Sequence, residues 1–236
     1  MRQIIAMGGG GFSMEPDNLL LDQYILSQAH IDVPKTCFIP TASGDADNYI
    51  ERFYEAFEEL VCTPSHLSLF SPNFIDLKAY VLQHDILYVG GGNTRKNMLS
   101  LWKEWGLDTI LKKAYEKGVI LAGISAGSIC WFEEGVTDSM NNKLSKIDCL
   151  GFLTGSNCPH YDGESNRRPS YRELIASGET KEGYAVDDGV ALHFKNEKLS
   201  ASVSSRPTAK AYAVGRKEEE VVERELPVTY LGDRKQ

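Results

Sequence analysis

"VILAGISAGSICWFEEGVTDS", Val119 to Ser139, holds the turn on which the fold reading rests. Val119 to Ile124 are unbroken apolar residues and glycine, the pattern of a central parallel strand buried on both faces. The run stops at Ser125, with Gly123 two residues before it and Gly127 two residues after. Glycine has no Cβ, so the chain can turn tightly at either position. A strand that turns here into a helix over "AGSICWF" forms a nucleophile elbow, with the Ser125 hydroxyl exposed at the C-terminal edge of a sheet. The Ala126 N–H then lies at a helix N-terminus, where unpaired donors and the helix dipole favour a developing oxyanion. The same letters also fit a plain strand-to-helix turn with an N-cap serine, so the elbow needs partners elsewhere in the chain.

Working outward, the first two thirds alternate short apolar runs with longer amphipathic ones. "QIIAMG" from Gln3, "TCFIPTA" from Thr36, "HLSLF" from His66 and "DILYVGG" from Asp85 read as strands. In "DNYIERFYEAFEELV", Tyr49, Ile50, Phe53, Tyr54, Phe57, Leu60 and Val61 recur at three- and four-residue spacings, which predicts a helix with one apolar face. "NTRKNMLSLWKEWGLDTILKKAYEKG" reads as two helices broken near Gly106, the second closed by Gly118. Strands alternating with helices predict βαβ units and a doubly wound, mostly parallel sheet with helices on both faces. The last third changes to "GYAVDD", "VALHF", "KLSASVSS", "AKAYAVG" and "EEVVERELPV", a β-rich extension of antiparallel strands. No repeat or linker divides the chain, so residues 1–236 are expected to form a single α/β domain. "KEEE" at Lys217–Glu220 reads as a solvated turn.

Composition excludes several classes. Hydrophobic residues make up 42% of the 236, enough for a core. A formal charge of -8 disfavours nucleic acid and anionic membranes as partners, although a local arginine can still bind an acidic substrate. No apolar run approaches membrane-spanning length, and the N-terminal apolar stretch is too short for a signal peptide. Five scattered cysteines form no CxxC pair, so no disulfide framework or zinc site is expected and the cytoplasm is the natural compartment. The association state is left open between monomer and homodimer.

A nucleophilic serine needs a base, and the base needs an acid to orient it. Of the five histidines, His30 and His66 fall in early connections and His84 precedes a strand, at the wrong end of a parallel sheet. His193, inside "VALHF", reads as a sheet-face histidine. His160 lies in "GSNCPHYDGES", a polar loop downstream of the elbow, and is the candidate base. Asp138 lies between Ser125 and His160 and is the first choice for the acid; Glu133, Glu134 and Asp162 are its rivals. A second glycine-rich turn, "YVGGGNTRKN", follows a strand and opens a helix, so its backbone N–H groups are placed to complete an oxyanion hole beside Ala126. It lacks the GxxxxGK[ST] phosphate pattern, and "MGGGGFS" lacks GxGxxG before a regular helix, so no nucleotide cofactor is expected. "MGGGGFS" instead reads as a tight turn at the same sheet edge.

Taken in this order and spacing, "VGGGNT", "GISAGS", "TDS" and "NCPHYD" resemble the peptidase E family of aspartyl dipeptidases. The resemblance runs from the first strand past "AVDDGVALHF". It implies a fold like that of class I glutamine amidotransferases. It implies Ser125 as nucleophile, His160 as base, Asp138 as acid, and Gly92 and Ala126 as oxyanion-hole amides, with Asn93 beside the substrate. The Ser125 to Asp138 spacing is shorter than in the enterobacterial members, and Ser in place of Cys at the elbow argues against ammonia transfer from glutamine.

The resulting expectation is a serine peptidase that releases an N-terminal residue, Asp above all, from short peptides without a metal or cofactor. The alternatives are a cyanophycinase-like hydrolase of β-aspartyl-arginine and a binding module that keeps the fold without turnover. Selecting an aspartate requires a local cation, because a desolvated carboxylate is costly without one. "ESNRRPSYREL" offers Arg167 and Arg168 just before Pro169, in extended or turn geometry, and Arg172 as a surface ion-pair residue. By the resemblance, Arg167 is the first choice for the substrate carboxylate, with Arg168 kept open.

Overall fold

In the computed structural model, β1 (Gln3–Met7), β2 (Lys35–Ile39), β3 (Thr63–His66), β4 (Ile86–Val89) and β5 (Ile120–Ile124) form the parallel part of an eight-stranded sheet. The structure describes residues 1–72, 74–139, 144–218 and 220–233. Pairing runs β1–β5–β4–β2–β3, with Ile5 opposite Ala122 and Leu87 opposite Leu121. All four parallel ladders bring strand C-termini to one edge, and the elbow is at that edge.

Alternation along these strands feeds two cores. Ile4, Ala6, Cys37, Ile39, Leu87 and Leu121 face one way, toward α4 (Leu77–Leu82), α5 (Ser100–Trp105) and α6 (Leu107–Glu116). Ile5, Met7, Phe38, Tyr88 and Ala122 face the other, toward α1 (Gly11–Met14), α2 (Leu20–Ser27) and α3 (Asp47–Glu58). Burial on both faces explains why these strands read as continuous apolar runs. The expected apolar face of α3 is realised up to Phe57: Phe53 and Phe57 are fully buried, and Phe53 stacks on Phe38 with centroids 4.8 Å apart, but the helix ends at Glu58 and Val61 beyond it is exposed. Gly106 breaks α5 from α6 at φ 67°, and Gly118 closes α6 at φ 91°.

Past the elbow helix α7 (Ala126–Ile129) the chain builds a second sheet. Its strands are β6 (Phe132–Thr137), β7 (Ser145–Asp148), β8 (Leu153–Cys158), β9 (Gly183–Val186), β12 (Ala211–Lys217) and β13 (Glu220–Glu225), in the order β13-β12-β9-β8-β6-β7. β10 (Val190–Lys195) and β11 (Lys198–Ser204) instead extend the first sheet antiparallel beside β1, with the short β14 (Thr229–Tyr230) outside them. Helix α8 (Arg167–Ala176) packs on the second sheet. The β-rich extension therefore splits between two sheets rather than flanking one.

Three local expectations are corrected. The helix over "AGSICWF" ends at Ile129, because Leu150, Gly151 and Leu153 N–H groups claim the carbonyls of Cys130, Phe132 and Trp131 and draw the chain into β6. The strand expected at "HLSLF" lies earlier, at Thr63–His66. Its continuation is diverted by Asp45, whose carboxylate takes the Leu69 and Phe70 N–H groups and the Ser68 hydroxyl. Arg167 and Arg168 open α8 rather than an extended turn, and Pro169 is tolerated in that first turn because its missing N–H would have had no helical partner. At the β12–β13 turn Lys217, Glu218 and Glu220 are exposed, while Glu219 lies outside the described residues.

Candidate active site

Ser125 occupies φ 57°, ψ -112°, a region that non-glycine residues rarely adopt and that costs ~1–3 kcal/mol. The turn is held from three sides. Ser125 N–H donates to Met7 O at 3.2 Å, which extends the β1–β5 pairing by one bond. The flanking glycines are needed for packing: a Cβ at Gly123 would lie 2.2 Å from Gly127 O, and one at Gly127 would lie 2.2 Å from Val89 O. The elbow helix is thus pressed directly onto backbone of β4 and β5.

The second glycine turn meets the first. A Cβ at Gly91 would lie 3.2 Å from Ser125 Cβ, so the chain after β4 passes beside the serine. Gly92 takes φ 137°, and a Cβ there would lie 2.4 Å from Ala42 O. Gly90 N–H donates to Ile39 O, Gly91 N–H to the Tyr49 hydroxyl, and Asn93 N–H to Ala42 O. Gly92 N–H has no such partner among the described residues, and Ala126, as the first helical residue, has no intrahelical one. Gly92 and Ala126, the amides implied by the family resemblance, are thus both without an internal acceptor, on the two turns that meet at Ser125. The Asn93 side chain caps the following π-helical turn, Thr94–Leu99, by accepting from Lys96 N–H at 2.8 Å.

His160 follows β8 through Pro159 and takes φ 54°. Its Nδ1 lies 2.6 Å from Asp188 Oδ1, and both side chains are largely shielded from solvent. Asp188 is on the Asp187–Gly189 link between β9 and β10. Its own N–H donates to Asp162 Oδ1 at 2.8 Å, and Gly189 N–H donates to Gly9 O at 3.0 Å. Burial pushes the Asp188 carboxyl up, but the His160 bond and charge, with Arg206 and Arg167 further off, more than offset it and hold the group below its ordinary value. The glycine run after β1 makes room for this pair: a Cβ at Gly9 would lie 2.0 Å from Asp188 Oδ1 and 3.1 Å from His160 Nδ1. The elbow and the His160 loop are tied together by Ser128 of α7, whose hydroxyl donates to the buried Asn157 at 3.0 Å. No hydrogen bond within 3.5 Å links Ser125 Oγ or His160 Nε2 to another described residue, as is common in resting hydrolases.

The carboxylate bonded to His160 is Asp188, not Asp138. Asp138 is exposed just past β6 and lines a polar cavity of about 520 Å³ with Leu144, Gly163, Glu164 and Ser170; Gly163 packs against the Asp188 carboxylate, so the cavity adjoins the His160 pair, but Asp138 makes no hydrogen bond to His160. Strands β6 and β8 run side by side, but the left-handed turn at His160 carries its ring to the β9–β10 link instead. Glu133 accepts Gly155 N–H and pairs with Lys181, Glu134 accepts Lys181 N–H, and Asp162 serves the Asp188 backbone. His193 is a buried sheet histidine between Tyr24 and Gln3, pushed down to about 4 by burial.

The arginines are already engaged. Buried Arg167 forms two bonds to Glu164 and donates to Val136 O at 3.0 Å. Arg168 pairs with Glu223 and lies over the rings of Tyr161 and Tyr212, and Arg172 joins the same Glu223. Arg206, which sequence reading passed over, crosses Gly189 beside Asp188; its Nε bonds Glu15 at 2.9 Å, and its Nη groups bond no described residue.

The model of peptidase family S51 matches residues 4–202. The chain belongs to peptidase family S51. It is 63% identical over 232 residues to the uncharacterized peptidase YgaJ of Bacillus subtilis (strain 168), covering 98% of this chain and all of that one. The uncharacterized peptidase Lmo0363 of Listeria monocytogenes is 22% identical over 170 residues, 69% of this chain and 82% of the relative. Among solved structures, a peptidase from an acI-B1 Actinobacterium superposes with a TM-score of 0.69 at 16% identity, over 97% of this chain and 95% of that one. A structure presented as a peptidase E protein from Listeria monocytogenes EGD-e gives 0.60 at 18% identity, over 96% of this chain and all of that one. These two likenesses concern the fold, an α/β arrangement of mixed sheets with helices on both sides of the first. Membership in S51 makes the protein a peptidase by family.

Proposed function

We propose that this S51 member is a serine peptidase acting on short peptides through Ser125, His160 and Asp188, with N-terminal Asp-Xaa dipeptides as the favoured substrates. The observation that carries the reading is the 2.6 Å His160–Asp188 bond at the same sheet edge as the strained Ser125 elbow. Ser125 Oγ attacks the scissile carbonyl while its proton passes to His160 Nε2. The carbonyl π electrons move to oxygen, where the Gly92 and Ala126 N–H groups receive the charge. Collapse breaks the C–N bond, and the leaving amine takes the proton from His160. Water then repeats the sequence on the acyl-enzyme and frees Ser125. Asp188, kept ionised, holds Nδ1–H and so leaves Nε2 free to accept the proton; it stabilises the imidazolium without taking the proton itself.

Arg167 has all three guanidinium nitrogens engaged within the fold and Arg168 is held between Glu223 and two aromatic rings, whereas Arg206 pairs with Glu15 through Nε alone and crosses Gly189 beside Asp188; we therefore assign the aspartate side chain of the substrate to Arg206, whose remaining Nη donors suit a carboxylate. The test is release of free amino acid from a panel of Xaa-Leu dipeptides and from β-aspartyl-arginine. Asp-Leu should be preferred, Ser125→Ala should abolish turnover, and Arg206→Gln should lose at least ~10-fold on Asp-Leu, the scale of a charged hydrogen bond, while neutral substrates change little. Turnover of β-aspartyl-arginine alone would give the site to a cyanophycinase-like reaction. No turnover, with no adduct from a serine-directed phosphonate, would leave a binding module.

A further inference from the structure

Tyr49 lies on the first turn of α3, far in sequence from every residue assigned a chemical role, yet its buried hydroxyl reaches the turn beside Ser125. The oxygen accepts Gly91 N–H at 3.2 Å and lies 2.7 Å from Ser13 Oγ, in the short helix α1 that follows β1. Its ring underlies Gly90, where a Cβ would lie 2.9 Å away. Arg52 closes the arrangement from outside, over the Tyr49 ring at 5.1 Å and donating to Ser13 O at 3.1 Å.

Three consecutive glycines are free to rotate their peptide planes, and each plane decides which N–H points at the serine. Here the plane before Gly92 is bracketed. Tyr49 holds the preceding N–H, of Gly91, and Ala42 O holds the following one, of Asn93, at 2.7 Å. The N–H left between them is that of Gly92. Without the phenol oxygen, the half-buried Gly91 N–H would lose its protein acceptor, at a cost of up to ~1–3 kcal/mol, and rotating its plane would relieve that cost at the expense of the Gly92 amide.

We propose that Tyr49, supported by Ser13, is a positioning residue that fixes the Gly90–Gly92 turn so that the Gly92 amide, not that of Gly91, faces the oxyanion. This rests on the nucleophile reading of Ser125 given above. The phenol acts as a neutral acceptor, and burial keeps it neutral by pushing its ionisation up.

The probe is a fluorophosphonate, whose reaction at a serine builds negative charge on the phosphoryl oxygen much as acylation does on a carbonyl. Wild type, Tyr49→Phe and Ser13→Ala are each titrated to completion for the number of labelled sites, and then followed for the rate per site and for kcat and KM on the preferred dipeptide. Tyr49→Phe should label to full stoichiometry at a rate at least ~10-fold lower, with kcat reduced alike and KM within ~3-fold, a fraction of the ~10²–10³ lost with an oxyanion donor itself. Ser13→Ala should shift the same quantities in the same direction by a smaller factor, and it decides the matter should Tyr49→Phe fail to fold. A loss of labelled sites with an unchanged rate per site would make Tyr49 merely structural and overturn the proposal, as would wild-type rates in both variants. No label on Ser125 in the wild type would overturn the nucleophile reading, and this inference with it.

Discussion

Two carboxylates compete for one histidine, and the structure separates them. Asp188 is bonded to His160 Nδ1 and held below its ordinary pKa, while Asp138 faces solvent beyond β6. Asp188→Asn should therefore lower kcat by ~10⁴, as expected when the imidazole loses its orienting acid, and Asp138→Asn should stay within a few-fold of wild type. Steady-state rates of the two purified variants on one dipeptide check this; the reverse ranking would return the acid to Asp138. The residues at the elbow were legible because a buried strand ending in Gly-x-Ser-x-Gly has few other packings. Asp188 was not. "VDDG" carries the composition of any strand-connecting turn, and only the pairing of β1 with both β5 and β10 brings that turn to the elbow. The engagement of Arg167 was hidden for the converse reason: its partner Glu164, three residues back, belongs to an ion pair that spacing alone does not distinguish from a solvated loop.

At the scale of elements, the site depends on backbone pressed against backbone. The elbow helix has four residues, too few for intrinsic stability, so contact with β4 and β5 holds it. Gly127→Ala places a methyl group 2.2 Å from Val89 O, and neither backbone can yield without moving Ser125. The expected result is a loss of ~1–3 kcal/mol or more in urea unfolding together with near-complete loss of activity. An active Gly127→Ala enzyme would mean that α7 can shift without consequence. The parallel strands and α3 could be read from periodicity, since burial on two faces or on one stripe leaves a pattern. The second sheet was less visible because β6 and β8 carry buried polar residues such as Glu134, Ser156 and Asn157 that interrupt any alternation.

Across the whole molecule, a buried acid outside the His160–Asp188 pair shapes the response to pH. Asp22 is wholly buried, accepts Phe12 N–H at 2.8 Å and Tyr88 O–H at 3.2 Å, and is pushed up to about 7, chiefly by burial. Glu15 is the charged neighbour that adds to the shift, and Tyr49 and Tyr88 lie close by. The folded protein thus holds a proton on Asp22 that the unfolded chain releases near the ordinary aspartate value of 3.8. Stability should accordingly fall as pH rises from about 4 through about 7, opposite in sign to the contribution of Asp188, which is lost only in strong acid. Urea midpoints between pH 5 and 8 should decline in wild type and decline less in Asp22→Asn, which has no proton to release there. Parallel slopes in the two proteins would show that Asp22 is not the group responsible.

The link Asp187–Gly189 is where the chain leaves the second sheet at β9 and enters the first at β10, and it carries the acid. The serine belongs to one sheet, the histidine to the other, and the carboxylate to the seam between them. A chain in which either sheet has formed alone cannot bring Ser125, His160 and Asp188 together. On the mechanism proposed above, such a half-folded copy would present its neighbours with an inert serine.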